Sequence, residues 1–177
     1  ARRGSEVLLL DRSLIGRGGA TVMAQMTVAA ATGEQTPDHW EHHLQDTLNA
    51  GRGLCDARLS QLLCEEGVDC IREMDGWGVG WARHDGKLTA VMAPGHDRPR
   101  CVYVDFLNTG PAVSRTLRAQ VIRASGVTRA GDVHVVDLAV RDGECVGALG
   151  LHLPTGEWVA IAAKSTIVAT GGLTRLY

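Results

Sequence analysis

A carboxylate ends the first apolar run of the chain, Glu6–Asp11, and the pattern predicts that this run is a buried strand of a parallel sheet. In dinucleotide-binding folds, an acid at the end of the second parallel strand accepts a hydrogen bond from a ribose hydroxyl. Asp11 is therefore a candidate ribose ligand, and the alternative is a strand-terminal acid that binds nothing. The glycine loop that usually precedes such an acid by about 20 residues is expected upstream of residue 1.

A glycine-rich segment follows, with Gly16, Gly18 and Gly19 leading into residues 21–31, which are rich in alanine and methionine. We predict a loop that enters a tightly packed helix over residues 21–31. Backbone N–H groups of such a loop and helix N-terminus can face a phosphate or an electron-rich ring edge. The alternative is an ordinary flexible loop before a packed helix.

A third segment lies near the end of the chain, where residues 164–169, which finish with the apolar Ile167, Val168 and Ala169, run into Thr170, Gly171 and Gly172. The pattern predicts a buried strand over residues 164–169. Glycines directly after such a strand indicate close backbone approach to another group.

The elements between these segments are predicted from the periodicity of apolar residues and from residues typical of helix ends and turns. A helix is expected from Thr36 to Ala50, with Thr36 as its cap, and a second over residues 56–74 with Leu59, Leu62, Leu63 and Ile71 on its apolar face. Hairpins and loops are expected over residues 76–105.

A third helix is expected over residues 109–126 with an apolar face of Val113, Leu117, Val121 and Ile122. A three-stranded antiparallel meander is expected over residues 133–140, 145–153 and 157–163.

Composition excludes several classes of function. A net charge of −2, with only the short basic pair Arg2 and Arg3, argues against nucleic acid as a partner. No apolar run reaches the length of about 18 residues that direct membrane insertion requires. The five cysteines are scattered without a Cys-x-x-Cys pair, which is typical of a reducing compartment and predicts a cytoplasmic location.

Two further groups of side chains are interpreted as structural. His39, His42 and His43 share a helical face, but neither a His-Glu-x-x-His arrangement nor a fourth ligand accompanies them, so no metal site is predicted. Trp77 and Trp81 are expected in the core or at an interface.

Taken together, the three segments resemble a known family. The residues that carry the likeness are Val7–Arg12, Arg17–Gln25, His43–Thr47, Gly95 with His96 and Arg100, Thr109 with Gly110, Asp142 with Gly143, and Ala169–Gly172 with Arg175–Tyr177. They are similar to the flavoprotein subunit of succinate dehydrogenase and fumarate reductase, whose relatives include L-aspartate oxidase and the adenylylsulfate reductase α subunit. The resemblance implies an α/β fold, namely an incomplete Rossmann-like FAD-binding domain with a β-meander and a helical insert. It further implies that residues 1–177 are part of one such domain, without its glycine-loop strand and its capping and catalytic segments.

The resemblance assigns cofactor contacts to residues of this chain. Asp11 would hold the adenosine ribose, and the backbone near Val135 would meet the adenine. Ala169, Thr170 and Gly171 would pass close to the ribose and pyrophosphate. The residues that would wrap the pyrophosphate and reach the flavin ring are Arg12, Ser13, Arg17, Gly18, Gly19, Ala20, Thr21, Ala24, Gln25 and Met26.

Departures from the family pattern refine this expectation. Some members attach FAD through a histidine just before the conserved threonine; that position is Ala20 here, so FAD is expected to be non-covalent. Met26 and Thr27 stand where the family has two glycines, so the path beside the flavin is expected to differ. Aspartate oxidases have a glutamate three residues before the glycine-linked histidine, and the equivalent here is Ala93, which argues against aspartate as substrate.

The resemblance implies an FAD-dependent oxidoreductase that transfers hydride between the flavin and a dicarboxylate-like small molecule, and an iron–sulfur protein is the expected electron-transfer partner. A location in the cytoplasm, or at the cytoplasmic face of a membrane complex, is expected. His96 and Arg100 are the only local candidates for the substrate side, and the alternative for both is a structural role in a loop. Other functions left open are an adenylylsulfate-reductase-like or aspartate-oxidase-like enzyme and a non-catalytic interaction module. The 177-residue chain alone is expected to be inactive.

Overall fold

A computed structural model describes residue 1 and residues 4–172 of the chain. The basic pair Arg2 and Arg3 and the segment Arg175–Tyr177 of the family likeness lie outside the described residues. The described elements, in chain order, are β1 (Val7–Leu10), a single 3₁₀ turn (Thr21–Met23), β2 (Val28–Ala29), α1 (Trp40–Gly51), α2 (Ala57–Gly76), β3 (Arg83–His84), β4 (Lys87–Leu88), β5 (Ala90–Val91), β6 (Cys101–Val102), α3 (Thr109–Arg123), β7 (Val127–Ala130), β8 (Val133–Arg141), β9 (Glu144–His152) and β10 (Glu157–Ala162).

The chain divides into two compact units, which are described separately. The first consists of the described residues up to Val22 and those from Arg118 onward, and the second of Met23–Leu117.

In the first unit, the predicted opening strand β1 is confirmed and pairs in parallel with β7, with Val7 opposite Val127 and Leu10 opposite Ala130. Strand β7 was not predicted, because only four residues separate Gly126 from Gly131 and half of them are polar. The predicted burial of β1 is only partial, since Val7 is 37% and Leu8 45% exposed.

The meander of the first unit is confirmed, with strand order β10-β9-β8 and antiparallel pairing throughout. Asp142 and Gly143 turn the chain between β8 and β9, both with positive φ. This is the type I′ geometry that the twist of a two-residue hairpin requires.

The second unit packs α2 and α3 residues against short strands. β6 lies between β2 and β5 in a three-stranded antiparallel sheet, and β3 and β4 form the hairpin expected in this region. A core cluster includes Ile71 of α2, Trp81, Val102 of β6 and Val113 of α3. Trp81 is 4% exposed, and its ring N–H donates to the Ile71 carbonyl, which confirms the predicted core role of this tryptophan.

The helix predicted over residues 21–31 is wrong. Only the 3₁₀ turn Thr21–Met23 is helical there, and Val28–Ala29 joins the sheet. The carbonyls of Ala24 and Gln25 accept hydrogen bonds from the backbone N–H groups of Gly110 and Thr109 at the start of α3. Those carbonyls are therefore not bonded within a local helix. The small side chains of Ala30 and Ala31 fit a buried extended segment instead.

Three predictions about the helices are wrong in part. Helix α1 begins after His39 and not at Thr36, because the backbone of His39 is extended and the side chain of Asp38 binds Arg100. The predicted leucines of α2 are exposed, and its buried residues are Ser60, Cys64 and Ile71. In α3, Leu117 and Ile122 are 40% and 50% exposed, and the buried face consists of Thr109, Gly110, Ala112, Val113 and Thr116.

The buried strand predicted over residues 164–169 is also wrong in the described structure. These residues are irregular, with Ile167 91% and Val168 62% exposed. An isolated apolar segment needs a neighbouring strand to become part of a sheet, and none of the described strands pairs with this one.

Candidate nucleotide-binding site

The end of β1 holds a carboxylate with one oxygen still available. Oδ1 of Asp11 accepts hydrogen bonds from the backbone N–H of Ser13 at 2.9 Å and from its hydroxyl at 3.0 Å. Among the described residues, nothing donates to Oδ2 of Asp11. The Asp11 side chain is therefore oriented by its own turn while it keeps an acceptor for an incoming hydroxyl.

The end of β7 completes this corner of the first unit. Asp11 donates its N–H to Ala130, while the N–H of Asp132 donates to Ser13 and that of Val133 to Asp11. A Cβ on Gly131 would lie 2.9 Å from the Ser13 carbonyl oxygen, so only glycine allows the two strand ends to approach this closely. The carboxyl ends of parallel strands are where open α/β sheets bind ligands.

The glycine loop beside this corner has unused backbone donors. Arg17 donates its N–H to Leu14, but in the described part of the chain the N–H groups of Gly18, Gly19 and Ala20 have no acceptor. Gly18 packs so closely that a Cβ would lie 2.6 Å from the Ser13 hydroxyl. Successive free N–H groups of a glycine turn are the feature that binds phosphate oxygens in many nucleotide sites.

A cavity of about 340 Å³ opens beside the same strand ends in the first unit. Leu14 and Ile15 from the loop after β1, Val121 and Ile122 of α3, and Arg118 and Arg129 line it. The guanidinium of Arg129 donates to the carbonyls of Val121 and Ile122 at 3.4 Å, so it caps the C-terminal end of α3.

The other predicted cofactor residues are distributed over both units. Arg12, Arg17 and Thr21 are exposed in the first unit, and Val135 lies on β8 at 37% exposure. Ala169, Thr170 and Gly171 are exposed, and no described hydrogen bond joins them to Asp11. Ala24, Gln25 and Met26 are exposed in the second unit, where the Met26 carbonyl accepts from the Thr109 hydroxyl at 2.8 Å. The structure thus brings together Asp11, Ser13 and Gly18 of the predicted set.

Arg100 forms the centre of a charged cluster in the second unit, which we call the Arg100 cluster. Its guanidinium, in a residue 1% exposed, donates to Asp38 at 2.9 Å, to Asp46 at 2.7 Å and to Asp97 at 2.7 Å. Asp97 also pairs with Arg98, and hydrogen bonds from Arg98 hold the pKa of Asp97 well below its usual range. A guanidinium enclosed by three carboxylates favours the structural role for Arg100 over contact with a substrate.

His96 lies beside this cluster, against His43 of α1. The two ring centroids are 5.6 Å apart, and the buried Nδ1 of each ring has no partner in the described chain. Burial, with Arg100 and His96 nearby, lowers the pKa of His43. The surroundings of His43 therefore favour its neutral form, in a site where two buried ring nitrogens have no partner among the described residues.

Three features of these sites were not predicted from the sequence, namely Gly131, Asp132 and the carboxylates around Arg100. Gly131 and Asp132 could have been located from the sequence. Gly131 follows Val127 by four residues and ends a short strand, and a parallel partner of β1 must end beside Asp11. Asp38 and Asp46 gave no such signal, because Arg100 is far from them in sequence.

Among the described residues, no group of three or more His, Cys, Asp or Glu side chains is placed to hold a metal ion. No described helix is both long and apolar enough to cross a membrane.

Comparison with known proteins places these features in context. The family model described as FAD binding domain matches residues 1–177. The chain is 37% identical over 144 residues to L-aspartate oxidase 2 of Ralstonia nicotianae, an alignment that covers 80% of this chain and 26% of that protein. It is 30% identical over 167 residues to the succinate dehydrogenase flavoprotein of Rickettsia conorii, covering 89% of this chain and 28% of that protein.

A solved structure of the Mycobacterium smegmatis Sdh1 complex superposes with a TM-score of 0.91 at 29% identity, covering 97% of this chain and 31% of the other. The chain thus spans between a quarter and a third of the length of these relatives. The structural likeness confirms the predicted fold class.

Proposed function

Because the chain belongs to the FAD binding domain family, we propose that it holds FAD non-covalently within an oxidoreductase of the succinate dehydrogenase and fumarate reductase type. The observation that carries this proposal is the corner formed by the ends of β1 and β7. There, within the described part of the chain, no group donates to one carboxylate oxygen of Asp11, and the nearby amides of Gly18, Gly19 and Ala20 have no acceptor.

These residues fit the adenosine and pyrophosphate part of FAD. The open oxygen of Asp11 suits a ribose hydroxyl donor, and the free amides suit phosphate oxygens. We assign the adenine to the backbone near Val135 and the ribose and pyrophosphate to Asp11, Arg12, Ser13, Arg17–Thr21 and Ala169–Gly171. Ala24, Gln25 and Met26 are assigned to the flavin ring side. When bound, FAD supplies hydride chemistry through its isoalloxazine ring.

Attachment of FAD to this chain is proposed to be non-covalent. Ala20 precedes Thr21 and has a methyl side chain, which cannot form a bond to the flavin. The remaining contacts with FAD are then hydrogen bonds and packing.

For the whole protein we propose a small dicarboxylate as substrate and an iron–sulfur protein as electron acceptor, in the cytoplasm or at its membrane face. A second candidate is an oxidase of an amino dicarboxylate, which the 37% identity to an L-aspartate oxidase favours. Ala93, which replaces the glutamate expected of aspartate oxidases, supports the first candidate.

The test is a titration of the 177-residue chain with FAD, followed by flavin fluorescence. We expect saturable binding that Asp11→Asn weakens about tenfold or more, because a hydrogen bond to a charged group is worth about 1.5–3 kcal/mol. Asp142→Asn is the matched control, since Asp142 lies in a turn with φ 53° that asparagine also adopts. Equal affinity of the two variants, or no saturable binding, would overturn the proposal.

A further inference from the structure

The first residues of α3 hold a short loop of the second unit through its carbonyl groups. We call this loop, which consists of Ala24, Gln25 and Met26, the flavin-side loop. The carbonyl of Ala24 accepts from the N–H of Gly110 at 2.8 Å, and that of Gln25 from the N–H of Thr109 at 3.3 Å. The carbonyl of Met26 accepts from the Thr109 hydroxyl at 2.8 Å. Three successive carbonyls are therefore bonded to two neighbouring residues of one helix.

The side chain of Thr109 lies buried at the centre of these contacts. The residue is 2% exposed, and its hydroxyl also lies 2.8 Å from the carbonyl oxygen of Asp105 and accepts from the N–H of Val104 at 3.1 Å. Met26 and Thr109 are 83 residues apart in sequence. A buried hydroxyl that bonds two distant segments fixes the position of one relative to the other.

The direction of the loop carbonyls also sets the direction of the loop N–H groups. The described peptide bonds are all trans, and the C=O and N–H groups of a planar trans peptide point in opposite directions. Because the carbonyls of Ala24 and Gln25 point to α3, the N–H groups of Gln25 and Met26 point away from it. In the described part of the chain, neither N–H group has an acceptor. The loop thus has two neighbouring donors on the side opposite α3.

We propose that Thr109 is a positioning residue for flavin binding, because its hydroxyl and N–H hold the flavin-side loop against α3 and so turn the loop amides toward the flavin ring. This inference rests on the proposed function, which assigns Ala24, Gln25 and Met26 to the flavin ring side. Backbone N–H donors suit the electron-rich nitrogen and oxygen atoms of that ring. Thr109 is not assigned to any contact with FAD and acts through the loop.

A comparison of FAD with ADP separates this role from that of the corner at Asp11. ADP contains the adenosine and pyrophosphate of FAD but no flavin ring, so its binding should not depend on the flavin-side loop. The affinity of the 177-residue chain for each ligand is measured by calorimetric titration, and the ratio of the two affinities reports the ring contacts. A purely structural role of Thr109 would lower both affinities together.

Two substitutions of Thr109 and one control make the test specific. Thr109→Val removes the hydroxyl and keeps the shape of the side chain. We expect it to weaken FAD about fivefold or more, as the loss of a buried hydrogen bond predicts, and to change the affinity for ADP by less than about twofold. Thr109→Ser restores a hydroxyl and should return the ratio to that of the unsubstituted chain. Thr116→Val should leave the ratio unchanged, since Thr116 is buried on the same helix and its hydroxyl has no described hydrogen bond.

A measurement on the unsubstituted chain does not depend on the folding of any variant. In amide NMR spectra, the shifts that FAD causes and ADP does not should be concentrated at Gln25, Met26, Thr109 and Gly110. Such shifts at other residues only, an unchanged ratio in Thr109→Val, or an equal loss of both ligands in that variant would overturn the positioning role, while ADP binding would still support the corner at Asp11. Absence of binding of either ligand to the unsubstituted chain would instead contradict the proposed function, and this inference with it.

Discussion

The rings of His43 and His96 lie against each other in the second unit, tilted by 53°, with their buried Nδ1 atoms unpaired among the described residues. Burial is the main reason that the pKa of His43 falls below its ordinary value of 6.5, and Arg100 and His96 act in the same direction. Asp38 and Asp46 oppose them with smaller effects. The fold therefore favours the neutral ring.

A pH dependence of stability follows from this shift. As pH falls through 6.5, the unfolded chain takes up a proton at His43 that the folded chain resists, so the free energy of unfolding should fall until the folded pKa is reached. Urea unfolding at several pH values measures the slope. His43→Phe should flatten it, whereas His84→Phe, at an exposed hairpin position, should leave it unchanged.

Gly147 on β9 is a second residue whose type is fixed by its surroundings. A Cβ there would overlap the carbonyl oxygen of Ile161 on β10. We expect Gly147→Ala to lower the free energy of unfolding by about 2 kcal/mol or more, measured by urea denaturation. Gly67→Ala, inside α2 with open space around it, should instead raise it by about 0.5–1 kcal/mol. Similar effects at both positions would contradict this account.

At this scale, the sequence was informative where local chemistry decides the role of a residue. Asp11 could be predicted because an acid directly after an apolar strand has a recognisable role. The partners of Arg100 could not, because Asp38 lies 62 residues and Asp46 54 residues away, and tertiary contacts alone bring them together.

Among the elements, α1 and the loop before β6 are joined by the Arg100 cluster. Asp46 of α1 accepts from both Arg100 and the N–H of Asp97. The side chains of Asp38 and Asp46 are 1% and 14% exposed, and Arg100 is the nearest counter-charge of both, at 2.9 and 2.7 Å. Asp38 has a second, more distant pair with Arg98 at 3.7 Å.

Arg100→Met should therefore destabilise the chain by about 3–5 kcal/mol, as expected when one partner of a buried ion pair is removed. Arg72→Met is the matched control, since the Arg72 side chain is 59% exposed and lies 3.7 Å from an exposed Asp69, and its effect should be clearly smaller. Thermal unfolding followed by circular dichroism compares the two. An equal loss in both variants would show that Arg100 has no special structural role.

Element prediction was accurate where pattern and turn chemistry agree, as in the meander with its Asp142–Gly143 turn. It was wrong over residues 21–31, where alanine and methionine favour a helix. There the carbonyls of Ala24 and Gln25 instead accept hydrogen bonds from backbone N–H groups at the start of α3. It misplaced the buried side of α2, because periodicity finds an apolar stripe without showing whether that stripe faces the core or solvent.

At the scale of the whole molecule, Ala20 predicts how FAD is released. After acid precipitation of the FAD-loaded chain, all flavin absorbance should remain in the supernatant, because no side chain at position 20 can retain it. Loading can be verified beforehand by gel filtration. Flavin in the washed precipitate would show a covalent bond and contradict the proposal.

The fold class was predictable because motifs along the chain resemble those of a known family, and the TM-score of 0.91 agrees with it. The arrangement of Ala169–Gly171 relative to Asp11 could not be predicted from the sequence, since it depends on sheet pairing that the described strands do not show. That these residues contact the same nucleotide stays a prediction, as does the assignment of residues 1–177 to part of one domain.

The central claim is that the corner formed by Asp11 and the glycine loop binds the adenosine pyrophosphate of FAD. The most direct measurement is a titration of the ¹⁵N-labelled chain with ADP, followed residue by residue in amide NMR spectra. We predict saturable shifts concentrated at Ser13, Gly18, Gly19, Ala20 and Gly131, lost in Asp11→Asn. Shifts confined to other parts of the chain, or none at saturating ADP, would contradict the account.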